Sequence, residues 1–286
     1  MNISELSDFS NCNDLVRTEE IIWSNLEKAN PEIDPLYVFL KFPFADFINK
    51  RGTHYVQKLI NEHCNKDPKS IFVFICQHIK ICEIKFPKNS IVFTPHATIK
   101  DSYISIPHAS PFDLFNIKPI DCRKFDFCFV GAAYTHPSRS FIFNQFSSNS
   151  RFNLIETGSW HFDKTEKEQN DNQNLFIDSM LDSKVSLCPR GTGPSTIRIW
   201  DSFAIGSIPL IISDGLKMPM SKEINWNKSC FFMKEVDVSF IDKINPYDYD
   251  LDSMIKEGRK LYKNFLCKNL MHNIIIDHIN EVSRTS

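Results

Sequence analysis

The sequence is short of glycine, with 8 in 286 residues against 25 phenylalanines. So few glycines are expected where the backbone needs them, and Gly191 and Gly193 fall two positions apart. Long apolar runs are also missing. The longest, such as Leu36 to Leu40 and Ile208 to Ile212, are far too short to span a bilayer. The nine cysteines are scattered and form no Cys-x-x-Cys pair. That excludes a dense disulfide framework and a zinc site of familiar spacing, and it reads as reduced, buried or half-buried thiols. Neither sign of charge dominates, since 33 Lys and Arg stand against 35 Asp and Glu, for a net −2. Nucleic-acid binding through global charge is excluded. The 42% of hydrophobic and 24% of charged residues exclude a disordered or collagen-like chain. The start Met1-Asn2-Ile3-Ser4-Glu5 has neither the basic region nor the apolar stretch of a secretory signal. A cytoplasmic chain without a transmembrane segment is the expectation.

What is present is a repeating strand–helix pattern. Residues 1–16 are polar and expected to be loose. A helix is expected over Glu19–Ala29 and another over His54–His63, with strands at 36–40, 70–76, 91–94 and 103–107. A boundary near Pro119 divides a first domain, 1–118, from a second, 119–286. The second reads as strand 125–130, a helix opened by His136-Pro137-Ser138, strand 152–155, helix 175–181 and strand 184–188. Helix 195–205 ends at Gly206, and strand 208–212 follows. His161 to Asn174 reads as a solvent loop or a partly disordered stretch, and residues 254–282 as one long C-terminal helix with room for a single interruption. Apolar strands alternating with helices imply parallel sheets covered on both faces.

The chemistry is concentrated in Ser186 to Pro209, SLCPRGTGPSTIRIWDSFAIGSIP. This is a strand, a glycine-rich turn, a helix and a strand. In open α/β sheets ligands bind outside the carboxyl ends of strands, and a helix N-terminus after such a turn suits an anion. Ser195 or Thr196 is placed to cap that helix. Ser195, Arg198 and Asp201, three apart, share one face, read as exposed. Ile197, Trp200 and Ala204 share another, read as core. A guanidinium fits a diphosphate, and a carboxylate one turn on fits ribose hydroxyls. The residues alone leave an equal alternative: a surface ion pair between Arg198 and Asp201, beside ordinary turn glycines.

The segment resembles the signature of exostosin-like glycosyltransferases, family 47. The matching positions are Cys188, Pro189, Arg190, Gly191, Gly193, Pro194, Ser195, Arg198, Asp201, Gly206, Ile208 and Pro209. Upstream, Phe129-Val130-Gly131 and His136-Pro137-Ser138-Arg139 resemble the family's strand–Gly and His-Pro-x-Arg segments, and Ala45-Asp46-Phe47 is a faint trace of another. The likeness covers about Asp121 to Pro219. It implies an α/β, GT-B-like fold: two Rossmann-like domains facing a cleft, with the donor on the C-terminal one. It implies inverting transfer of a sugar from a nucleotide-sugar, UDP-linked by preference, to a glycan or lipid-linked glycan acceptor. The context implied is surface polysaccharide or glycoconjugate synthesis in a bacterial or viral cytoplasm, including a position peripheral to the membrane.

The donor residues so implied are Gly131, Arg139, Arg190, Gly191, Gly193, Pro194, Ser195, Thr196, Arg198 and Asp201. No cofactor is expected, because several guanidinium bonds can replace a metal ion at the departing diphosphate. The one Asp-x-Asp, Asp248-Tyr249-Asp250, reads as a solvated loop. The base should come from the N-terminal domain, where Asp46, His54, His78, His96, Asp101 and His108 lie at or after strands. His78 and His108 are nominated. Trp160 is placed to stack on a sugar ring, and Trp226 matches a Trp position in the family's Asp-Trp segment, with core packing an equal reading. Two other readings stand beside the first: a GDP-fucose-dependent fucosyltransferase-like enzyme, and a non-catalytic glycan- or nucleotide-binding protein on the same scaffold.

Overall fold

A computed structural model describes residues 1–5, 17–158 and 166–285. The chain divides into two compact units. Unit 1 is Met1–Ala109, Gly215–Glu223 and Phe265–Ser286, and unit 2 is Ser110–Asp214 and Ile224–Asn264.

Unit 1 holds a five-stranded parallel sheet in the order β1-β2-β3-β4-β5. The strands are β1 (Asn2–Glu5), β2 (Tyr37–Lys41), β3 (Ile71–Ile75), β4 (Ser90–Thr94) and β5 (Ile104–Ser105). Successive side chains on a strand point to opposite faces, so runs such as IFVFI supply two cores at once. Phe39, Val73, Ile75 and Phe93 pack against Ile22, Trp23 and Leu26 of α1 (Arg17–Ala29) and Ile274, Ile275 and Ile279 of α7 (His272–Thr285). Val38, Leu40, Phe72, Phe74 and Val92 pack against Ile48, Val56 and Ile60 of α2 (Phe44–Cys64). Helix α2 starts earlier than the sequence pattern predicts and breaks at Gly52, whose φ of 81° and ψ of 166° are non-helical.

Three expectations change here. Asn2 to Glu5, expected to be loose, form an edge strand paired with β2, and residues 6–16 lie outside the described residues. The expected division at residue 118 is replaced by an interleaved one, because Gly215–Glu223 and Phe265–Ser286 return to unit 1. The expected long C-terminal helix is two, α6 (Leu251–Leu261) and α7. A π-helical turn at Tyr262–Leu266 shifts the register between them, and α6 belongs to unit 2.

A buried carboxyl ties three elements of unit 1 together. Glu19, fully buried in the first turn of α1, accepts the Gln77 amide at 2.7 Å and the Ala45 amide at 3.3 Å. In return Gln77 Oε1 accepts the Thr18 amide at 2.7 Å and the Glu19 amide at 3.3 Å. Each side chain thus satisfies amides at the other's end. Burial pushes Glu19 up to about 8 and Asp46 adds to the rise, against the pull of the donating amides. The folded chain therefore keeps a proton that the unfolded chain loses near its ordinary value of 4.5. That contribution to stability is fully present at low pH, declines as pH rises from about 4.5, and is gone above about 8. Glu19→Gln keeps an acceptor and removes the titration. The melting temperature of the wild type is expected to fall relative to Glu19→Gln between pH 5 and pH 8. Parallel melting profiles for the two proteins would refute this.

Unit 2 holds the second five-stranded parallel sheet, ordered β10-β9-β8-β6-β7. Chain order runs β6 (Phe125–Gly131), α3 (Pro137–Phe146), β7 (Phe152–Glu156), α4 (Glu166–Leu181), β8 (Ser183–Pro189), α5 (Arg198–Ile205), β9 (Ile208–Ile212), β10 (Phe231–Met233) and α6. After β7 the chain crosses back past β6 to form β8, so the strand order reverses between β6 and β8. Such a reversal opens a crevice at the carboxyl ends of the two strands, where ligands bind in doubly wound sheets. The polar run expected to be a loop is helical from Glu166. Glu, Lys and Gln are good helix formers, and the anchored turn at 175–181 extends backward through them. Two glycines let α5 pack closely. Gly206 ends it in the left-handed region at φ 93°. Gly258 of α6 has no Cβ to meet the Phe203 ring, which would lie 2.6 Å away.

Candidate functional site

The site grows from the reversal between β6 and β8. Strand β6 ends at Gly131 and β8 at Pro189, and the loop from Arg190 to Ile197 leads into α5. Three guanidinium groups brace the loop and its neighbour. Arg139 of α3 donates from Nε to the Arg190 carbonyl at 2.9 Å and from Nη2 to the Pro189 carbonyl at 3.1 Å. Arg190 turns back on its own loop, donating to the Gly191 carbonyl at 3.3 Å and the Thr192 carbonyl at 3.1 Å. Arg198 Nη2 donates to the Val130 carbonyl at the end of β6. Gly191 and Gly131 make this possible. A Cβ on Gly191 would stand 3.2 Å from Arg139 Nη2, and one on Gly131 would stand 3.1 Å from Arg198 Nη2.

The result is a loop with bound carbonyls and unengaged amides. Between Gly191 and Arg198 no amide donates a hydrogen bond to a described residue. Consecutive free amides before a helix form an anion-binding concavity. Ser195 Oγ is buried there and has no partner among the described residues.

Arg198 differs most from its expected place. It was read as exposed, yet it is 7% exposed and held between the Phe129 and Phe176 rings, at 4.7 and 4.8 Å from their centroids. Its Nε and Nη1 are buried without a hydrogen bond among the described residues. Burial lowers its pKa, and burial with Arg198 nearby brings Arg139 down to about 10, so Arg139 remains a cation at neutral pH. Asp201 is also buried rather than exposed, at 3%, and accepts Ser110 Oγ at 2.7 Å. Ile197, read as core, is 40% exposed. The rotation has a simple cause. Helix α5 begins at Arg198, three residues later than expected, and every residue in it is buried. The expected cap at Ser195 or Thr196 is accordingly absent: Ile197 is the N-cap residue, without a side-chain bond, and the Thr196 carbonyl accepts the Ile199 amide at 3.3 Å. Gly193 is buried in the loop, and the Pro194 carbonyl accepts Ser213 Oγ at 2.7 Å.

Glu235 escaped the sequence analysis, and His136 appeared there only as the start of a helix and part of a family-like segment. His136 caps α3, its Nδ1 accepting the Ser138 amide at 3.3 Å, so the proton sits on Nε2. Nε2 faces Glu235 Oε2 at 3.4 Å. Glu235 Oε1 accepts the Asp214 amide at 2.9 Å and lies 3.7 Å from Arg190 Nη1. Burial lowers the His136 pKa and the two arginines add to this, against the pull of Glu235. No motif in the sequence marks Glu235, because its partners follow three different strands.

The two nominated bases belong to unit 1. His78 is committed to structure: Nδ1 accepts the Lys80 amide at 3.0 Å and Nε2 faces Asn49 Oδ1 at 3.0 Å. Burial lowers its pKa, and Lys80 adds to this. His108 is half-buried, edge-to-face with His96 at 5.1 Å, and burial and His96 hold its pKa well below the ordinary value. The remaining candidates have structural partners or stand exposed. Asp46 pairs with Lys50 at 2.8 Å, Asp101 accepts the Thr98 and Tyr103 amides, and His54 is exposed on α2. Asp248 accepts Asn245 Nδ2, and Asp250 caps α6. Among the described residues no cluster of three His, Cys, Asp or Glu could hold a metal ion. No helix there is long and apolar enough to cross a membrane. Trp226 is buried against Trp200 and Phe203, and Trp160 lies outside the described residues.

A doubly wound parallel sheet, with a braced glycine loop at its strand reversal, defines the class of the second unit as α/β. The exostosin GT47 domain model matches residues 53–246, more than half of the chain. The chain belongs to the exostosin GT47 family. It is similar to the rice (Oryza sativa subsp. japonica) "Probable glucuronosyltransferase GUT1", 24% identical over 163 residues, which cover 52% of this chain and 36% of that protein. It is also similar to the Arabidopsis thaliana "Probable beta-1,4-xylosyltransferase IRX10", 25% identical over 114 residues, 40% of this chain and 24% of that protein. The chain thus spans well under half the length of these relatives. Among solved structures, the GtfA/B complex aligns with a TM-score of 0.45 at 11% identity, over 93% of this chain and 60% of that one.

Proposed function

We propose that the protein is an inverting glycosyltransferase. It moves a sugar from a nucleotide-sugar, UDP-linked by preference, to a glycan or lipid-linked glycan acceptor. The relatives named for glucuronosyl and xylosyl transfer support the reaction class. One observation carries the site: the loop after β8 has its carbonyls bound by Arg139 and Arg190 and its amides free. In this reading the free amides take the donor diphosphate, and three buried or half-buried cations lie around them. As the acceptor hydroxyl attacks the anomeric carbon, the bond to the diphosphate oxygen breaks. The charge left on the departing nucleotide falls where fixed donors already point. For the base, His108 is retained as the candidate, a neutral imidazole with one ring nitrogen able to accept a proton.

A thermal-shift screen tests this. UDP is expected to raise the melting temperature, and EDTA is expected to leave both the shift and turnover unchanged, since the guanidinium groups supply the positive charge. Stabilisation by GDP alone would move the assignment to a GDP-fucose-dependent enzyme. Stabilisation by neither would leave a non-catalytic scaffold. A strict requirement for Mn²⁺ would show that guanidinium groups do not suffice.

A further inference from the structure

Glu235 is a carboxylate on which three of unit 2's carboxyl-end loops converge, and the proposed reaction does not use it. It follows edge strand β10, in the last of these loops. Its Oε1 accepts the Asp214 amide at 2.9 Å, and its own amide donates back to Asp214 Oδ1 at 3.1 Å, fixing it to the turn after β9. Its Oε2 faces His136 Nε2 at 3.4 Å, in the loop after β6. Its Oε1 also lies 3.7 Å from Arg190 Nη1, in the loop after β8. It thus pairs with Arg190, one of the three arginines bracing the site.

We propose that Glu235 is a positioning residue for the donor loop, holding Arg190 in the orientation that binds the loop carbonyls and leaves the loop amides for the diphosphate. This rests on the donor-loop reading above. Arg190 has five N–H donors and a long flexible stem. Without a counter-charge at Nη1, only two neutral-acceptor hydrogen bonds hold Nε and Nη2 on the Gly191 and Thr192 carbonyls. A freed guanidinium would swing toward the anion or solvent, and the loop would lose its fixed shape. The bonds between Glu235 and Asp214 make the carboxylate a rigid post rather than a mobile surface group. The His136 N–H partly neutralises its other oxygen. The effect on donor affinity is therefore transmitted through Arg190, with no contact between Glu235 and the nucleotide required.

Glu235→Gln keeps an oxygen for the Asp214 amide and removes the charge. Calorimetric titration with UDP, and in parallel with GDP, is the test. Affinity for the nucleotide that binds the wild type is expected to fall about tenfold, with the melting temperature of the free protein unchanged. KM for the donor should rise while kcat holds. In an Arg190→Ala background the same substitution is expected to have no further effect, and Glu235→Asp should recover part of the lost affinity. Full affinity in Glu235→Gln, or additive losses in the double variant, would overturn the positioning role and leave the donor-loop reading standing. A wild type that binds neither nucleotide would overturn both.

Discussion

Arg198→Ala is expected to abolish nucleotide-induced stabilisation and sugar transfer together. The guanidinium lies between the Phe129 and Phe176 rings and holds the Val130 carbonyl at the end of β6. Because it is buried, truncation should also lower stability, by about 2–4 kcal/mol, through the void between the rings and an orphaned carbonyl. Loss of activity in this variant alone would therefore be ambiguous. Arg198→Lys separates the two effects. Lysine fills much of the same space and keeps the charge, so the protein should stay folded. A point charge cannot stack between two rings while bonding in the guanidinium plane. Turnover is expected to fall roughly a hundredfold, the scale of losing one fixed donor at a departing anion. Normal turnover with a normal UDP thermal shift in the lysine variant would remove Arg198 from the site.

A second large effect on stability is expected at Gly206. Its φ of 93° is strained for any other residue but asparagine or aspartate. A Cβ there would overlap the Ile117 side chain and come within 3.3 Å of Arg259 Nη1. Its carbonyl accepts Arg123 Nη2 at 2.9 Å, and Arg259 donates to the Ala204 carbonyl at 3.0 Å. Backbone strain and overlap should act together, so Gly206→Ala is expected to cost about 3 kcal/mol. Urea unfolding monitored by circular dichroism checks the value. A loss under about 0.5 kcal/mol would show that the end of α5 can rearrange freely.

The sequence revealed what periodicity and turn chemistry encode. The apolar runs at β2, β3, β4, β6, β8 and β9 were legible because both faces of each strand are covered, so each run is continuous. Gly206 was legible as a helix stop. Two short edge strands, Asn2–Glu5 and Phe231–Met233, were not. An edge strand pairs on one side only and needs no distinctive pattern. Helix α4 was hidden because its first turns carry almost no apolar residues. At the candidate site, the glycine turn and the start of α5 were legible as a segment, but the exposure expected for Arg198 and Asp201 is reversed. A face-by-face reading assumes one covered face per helix, and α5 is covered on all of them. Glu235 and its contact with His136 were out of reach because a contact between loops after different strands leaves no trace in spacing.

The interleaved chain of unit 1 bears on biosynthesis. Ile274, Ile275 and Ile279 share one core with Ile22, Phe39 and Val73. Residues 1–109 are therefore synthesised before the helix that shares, with α1, the cover over one face of their sheet. The other unit, continuous but for nine intervening positions, is translated in full before that helix emerges. Until then the face rests on α1 alone, and completion of this core waits for a segment made after the second unit, in departure from the usual amino-first order of domain maturation.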